Sequence, residues 1–210
     1  MVNTVATENL GDRLLSGDWR ERLNAQYGLS RWLAEDFEAG MEFIAQLANS
    51  QHSWHRVGVV APFGMRDYCR EHPERLPRII AVLETQLDEG FPPIRKNLGP
   101  YALGLLVRKY PHRMEPYLRR WSREKNEQVL WNVVMAFSQA AGKHHPLLGL
   151  DLILPLGRHP SRYVWRAAAA TLANIGQHHP RLVSPLLACW QSDPLLARMV
   201  PFIQRRCSGE

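Results

Sequence analysis

Four prolines set the frame for this chain. Pro73, Pro111, Pro146 and Pro180 recur at intervals of 38, 35 and 34 residues, each preceded by an aromatic or imidazole side chain: His72, Tyr110, His145 and His179. The residue before a proline is driven out of the α region, so a helix has to stop there. Proline itself suits the first turn of the helix that follows, where its missing N–H is not needed. With an apolar stretch on both sides of each turn, the sequence predicts four helical hairpins. One such hairpin cannot bury its own apolar face, so neighbours have to stack, and a period of this length is that of a helical repeat array.

The hairpins are expected over 54–87, 94–123, 129–158 and 164–193. Residues 1–50 then form N-terminal capping helices, 51–193 hold the four repeats, and 194–210 make a C-terminal capping helix and tail. Val164, Ala168, Leu172 and Ile175 share a helical face, and Leu182, Pro185, Leu186, Cys189 and Trp190 are expected to do likewise. An amphipathic helix is predicted from Leu33 to Ala48 with Trp32, Asp36, Phe37, Met41, Ile44 and Leu47 along one face, and residues 8–27 read as two short helices broken near Gly17. Lys143-His144-His145 and Gln177-His178-His179 place donors near carbonyls left unpaired at helix ends. No run alternates as a strand would. The expected class is all-α.

Composition narrows the function classes. No stretch reaches the roughly 20 apolar residues that span a bilayer. Met1 to Leu10 has no basic-then-apolar pattern of a signal peptide, so a cytoplasmic protein is expected. Cys69, Cys189 and Cys207 form no paired motif and are expected to be buried small hydrophobes. Charge is uneven: residues 1–50 carry −4, whereas the remainder carries +10. The densest block, 92–125, sets Arg95, Lys96, Arg108, Lys109, Arg113, Arg119, Arg120, Arg123 and Lys125 against only Glu115 and Glu124. Such asymmetry points to an anionic partner.

The last repeat carries a resemblance. Tyr163-Val164-Trp165-Arg166-Ala167-Ala168, running to Leu172, Ile175 and His179-Pro180, resembles a HEAT repeat and is similar to those of bacterial DNA alkylation repair proteins. The resemblance spans 51–200 and is sharpest over the C-terminal repeat. It implies a right-handed α-α superhelix whose concave, basic surface holds DNA, and an activity, in the catalytic members, of excising alkylated bases. Trp165, Trp131 and His55 stand where the first arginine of the family's repeat is usual, and only Ile94-Arg95-Lys96 keeps both basic residues. Ala and Asn174 replace the usual Asn and Asp. The aspartate beside aromatic residues that glycosylase members require has no recognisable counterpart here.

Several clusters compete as functional sites. Excision of an alkylated base needs a carboxylate near developing positive charge. Asp193 reads instead as a helix N-cap, Asp151 as a solvated residue and Asp67 as a surface residue beside Tyr68. The paired histidines lack the recurring Cys or carboxylate of a zinc site, so no metal and no cofactor are expected. Trp54, Trp131 and Trp165, near the starts of first helices, suit inter-repeat packing or a base-stacking platform. The best candidates for contact with nucleic acid are Arg56, Arg95, Lys96, Trp131, Arg162, Trp165 and Arg166, at the starts of the helices that line the concave side of such stacks. Arg119, Arg120 and Arg123 belong to a second helix and face elsewhere. The leading expectation is a non-catalytic binding module for DNA or RNA, read without sequence preference, or for an acidic protein surface. A DNA alkylpurine glycosylase and a protein–protein scaffold are the alternatives.

Overall fold

A computed structural model describes residues 4–208, with side chains from 9 to 207. The start of the N-terminal stretch read above, Met1 to Asn3, and the last two tail residues lie outside the described residues. The chain divides into two compact units, residues 1–98 and 99–210. Every regular element among the described residues is helical.

The first unit contains α1 (Thr4–Leu15), α2 (Trp19–Glu35), α3 (Phe37–Ala48), α4 (Ser53–Met65), a 3-10 turn at Pro73–Arg75 running into α5 (Leu76–Glu84), and α6 (Pro92–Asn97). The break near Gly17 falls as expected, with Asp18 capping α2 by accepting from the Arg20 N–H at 2.9 Å. The helix expected from Leu33 to Ala48 is interrupted. Asp36 adopts φ −138° and accepts from the Ala39 N–H at 3.1 Å, ending α2 and starting α3 at one residue. A short acidic side chain competes for backbone donors and so prefers this cap to a helix interior. Phe37, Met41, Ile44 and Leu47 are buried as predicted, and α4 lies against α1, α2, α3, α5 and α6.

The helical run starting at Pro92 passes through a π-helical turn, Leu98–Leu103. Pro100 explains it: a proline inside a helix lacks a donor and crowds the carbonyl four residues back, and one wide turn relieves both faults. The second unit continues with α7 (Gly104–Lys109), α8 (Pro111–Trp121), α9 (Glu127–Met135), α10 (Ala140–His144), α11 (Pro146–Gly157), α12 (Arg162–His178), α13 (Pro180–Trp190), α14 (Pro194–Ala197) and α15 (Val200–Ser208). Pro73, Pro111, Pro146 and Pro180 each occupy the first position of a helical segment.

Helix α12 packs against α9, α10, α11, α13 and α15, and Val164, Ala168, Leu172 and Ile175 are all buried on it. The face assigned to the next helix is right only at Trp190. Val183, Leu187 and Trp190 are buried, at spacings of four and three, while Leu182, Pro185 and Cys189 are exposed. Val183 and Leu187 each directly follow a leucine, Leu182 and Leu186, so the sequence offers two adjacent apolar stripes and periodicity does not choose between them. Only Cys69 is buried; Cys189 is exposed and Cys207 intermediate, its thiol pushed up by partial burial.

Candidate functional site

Helices α9 and α12 begin side by side. Asn126 caps α9, accepting from the N–H groups of Gln128 and Val129 at 2.8 and 3.3 Å. Ser161 caps α12 by accepting from the Tyr163 N–H at 3.3 Å, and its hydroxyl donates to Glu127 at 2.6 Å. The Tyr163 hydroxyl in turn donates to the Gln128 side-chain oxygen at 2.7 Å. These bonds pin the Tyr163 ring almost parallel to the Trp131 indole, with centroids 5.8 Å apart and 8° between planes. An offset stack of this kind suits two aromatic quadrupoles.

Beside the stacked rings opens a pocket of about 500 Å³, lined by Trp131, Met135, Arg162, Tyr163, Arg166, Ala167 and Ala170. The helical repeat dictates the set: 131 and 135 are one turn apart on α9, and 162, 166 and 170 are successive turns of α12. Ala167 and Ala170 leave the room, and the two exposed guanidiniums stand at the rim. Neither Arg162 nor Arg166 makes an ion pair among the described residues. The first turn of α12 holds no acidic residue, so the positive end of the helix dipole adds to their charge. No carboxylate lines the pocket.

The structure thus gathers three of the seven predicted side chains, Trp131, Arg162 and Arg166. The other four lie elsewhere. Arg56 is engaged at Glu89 (2.7 Å), at the Ser50 carbonyl (2.8 Å) and at Ser53 Oγ (3.2 Å). Trp165 lies under the Arg198 guanidinium, 4.6 Å from its ring centre, and Arg198 also donates to the carbonyls of Gly157 and His159. Arg95 is half-buried and Lys96 exposed on α6 in the first unit. Tyr163 and Met135 were missed. A signal existed for Tyr163: it stands 35 residues from Gln128, one repeat period, and residues one period apart become neighbours.

The three acids weighed for catalysis have other work. Asp151 pairs with Arg119 at 2.6 Å, and Arg119 also holds Glu115 at 2.8 Å, which raises the guanidinium's already high pKa. Asp193 accepts from the Leu195 and Leu196 N–H groups and pairs with Arg158 at 2.9 Å. Desolvation, which would raise its carboxyl, is outweighed by those bonds, and it lies below the usual range. One Asp67 oxygen accepts from the Cys69 N–H at 3.1 Å. Among the described residues no three His, Cys, Asp or Glu side chains gather to hold a metal ion. No helix is long and apolar enough to cross a membrane.

A chain of capped helical hairpins, joined by aromatic–proline turns and presenting the starts of its first helices, is a HEAT-like repeat scaffold. Its fold is that of the AlkD-type proteins. AlkD2 from Streptococcus mutans superposes over 99% of this chain and 98% of its own, with a TM-score of 0.67 and 16% identity. The smu.31 protein from Streptococcus mutans UA159 superposes over 97% and 98%, with a TM-score of 0.69 and 16% identity. These likenesses establish an all-α, α-α superhelical class. No family model matches the chain, and no curated protein matches its sequence.

Proposed function

We propose that the protein is a non-catalytic scaffold that binds the sugar–phosphate backbone of nucleic acid at the Trp131–Arg166 pocket. The observation that carries this reading is the pairing of two guanidiniums lacking carboxylate partners with two stacked rings at the positive end of α12. Arginines seize phosphate oxygens bidentately, and displaced counterions add affinity whatever the base sequence. The rings and alanines offer an apolar floor for sugar, which a site built for phosphate alone would not need.

Excision of an alkylated base would need a carboxylate beside the sugar, and the pocket is lined instead by Met135, alanines, rings and arginines. That favours binding over chemistry. The test is fluorescence anisotropy on a random duplex across a salt series. Binding that weakens steeply with salt, and that disappears in Arg162→Glu with Arg166→Glu while helicity persists, is expected. Unchanged affinity in that double variant ends the reading. Alkylated duplex incubated with the protein should release no free purine; release that is lost on replacing one carboxylate by its amide would instead make the protein a glycosylase. Binding to an acidic protein but to no nucleic acid would leave a protein scaffold.

A further inference from the structure

A second pocket, in the first unit, has a different chemistry. It lies at the turn between α4 and α5 and measures about 200 Å³. Arg66, Arg70 and Arg75 line it together with His72, Asp67 and Glu71. The turn that carries them is anchored from below. Tyr68 is buried and its hydroxyl bonds the Ser30 carbonyl at 3.0 Å and the Ser30 hydroxyl at 2.8 Å, while Cys69 is wholly buried beside it. Arg75 is held by stacking over the Phe37 ring, 4.3 Å from its centre. Two buried side chains between Arg66 and Arg70 therefore fix where those guanidiniums emerge.

The arginines have carboxylates within reach along the chain, yet none of the three forms a salt bridge among the described residues. Glu74 is turned to His72 at 3.1 Å, and Asp67 spends one oxygen on a backbone N–H. Three arginines thus line a small polar hollow against two carboxylates, Asp67, engaged at a backbone N–H, and Glu71, which carries no bond of its own among the described residues. Guanidinium forks match the oxygens of a tetrahedral oxyanion, and a volume of this size admits a phosphoryl group with a little water.

We propose that this pocket binds a dianionic phosphate, free or as a monoester. A diester, with one negative charge and two ester oxygens, satisfies the three guanidiniums poorly, so this site differs in kind from the backbone contact proposed for the other unit and does not depend on it.

The full chain, nitrogen-labelled, is titrated at neutral pH with inorganic phosphate, phenyl phosphate and dimethyl phosphate while amide resonances are followed. Saturable shifts confined to residues 66–75 with the first two, and none with the diester, are expected. A response to inorganic phosphate alone identifies a free-ion site; a response to both identifies a monoester site. Arg66→Ala and Arg70→Ala, both at exposed positions that the fold tolerates, each weaken binding about tenfold, the worth of one charge-assisted bond. Arg162→Glu with Arg166→Glu leaves it unchanged. Absence of a saturable shift at millimolar phosphate, an equal response to the diester, or full affinity in Arg66→Ala with Arg70→Ala overturns the proposal.

Discussion

Ala168 has no exposed surface and sits on the face of α12 that meets its neighbours. Its methyl group is all the space allows, so a carboxylate there would be buried with no partner. Ala168→Asp is expected to cost more than about 3 kcal/mol, seen as a lowered urea midpoint; normal stability would refute the packing of α12 described above. His55 illustrates a charge effect. Its ring bonds the Ser50 hydroxyl at 2.7 Å and the Gly11 carbonyl at 3.2 Å, and desolvation, with a smaller push from His52, holds its pKa below 6.5. The unfolded chain then takes up this proton before the folded chain does. Stability from this residue is complete above about pH 6.5 and falls as pH drops toward the folded value. His55→Gln should flatten that part of the stability–pH curve, and an unaltered slope would show that His55 is not its source.

At the scale of elements, the repeat is visible in the bonds themselves. His145 Nε2 donates to the Arg108 carbonyl at 3.0 Å, and His179 Nε2 donates to the Lys143 carbonyl at 2.7 Å, across 37 and 36 residues. At Pro146 and Pro180 the histidine before the turn proline thus satisfies a terminal carbonyl of the first helix in the preceding hairpin, whereas His72 bonds Glu74 and Tyr110 stands at the remaining turn. The sequence placed donors near such carbonyls, but had no way to tell the residue's own helix from its neighbour's. Asn174 does the same for Ser138, and Arg158 reaches Asp193 across 35 residues. Turn positions and the α12 core were legible because proline chemistry and helical spacing are local. The split at Asp36 and the π turn at Pro100 have local causes, a capping carboxylate and an interior proline, that the apolar periodicity around them masked, whereas the inward face of α13 depends on what lies opposite. Trp131 and Arg166 were legible as equivalent positions, whereas the pocket between them depends on Ala167 and Ala170 being small. His145→Ala is expected to cost about 1 kcal/mol in urea unfolding. Gly99→Ala should cost more, about 1–3 kcal/mol, because an added Cβ would stand 2.9 Å from Met135 Cβ and 3.0 Å from the Asn132 carbonyl. Equal stability of the glycine variant and the parent would mean the π turn can shift to make room.

Over the whole molecule, charge separates where the fold does. The first unit holds 11 Arg and Lys against 14 acids, the second 15 against 6. The net +6 of the chain therefore arises entirely from residues 99–210, the unit that contains the stacked pocket. Several cations there are spent in pairs between hairpins: Arg119 on Asp151 and Arg158 on Asp193. Such exposed pairs contribute little to stability and remove charge from the field that a polyanion meets. Arg162 and Arg166 remain uncompensated, so they should dominate the salt dependence of any nucleic-acid binding. Each phosphate contact contributes a slope of about −0.9 in log affinity against log salt. Arg162→Gln and Arg166→Gln are each expected to flatten the slope by about one, with proportionate loss of affinity for every duplex sequence tried. Arg119→Gln, whose charge is already matched, should leave the slope where it was. If all three variants shift it alike, the binding follows total charge, and the pocket has no special part in it.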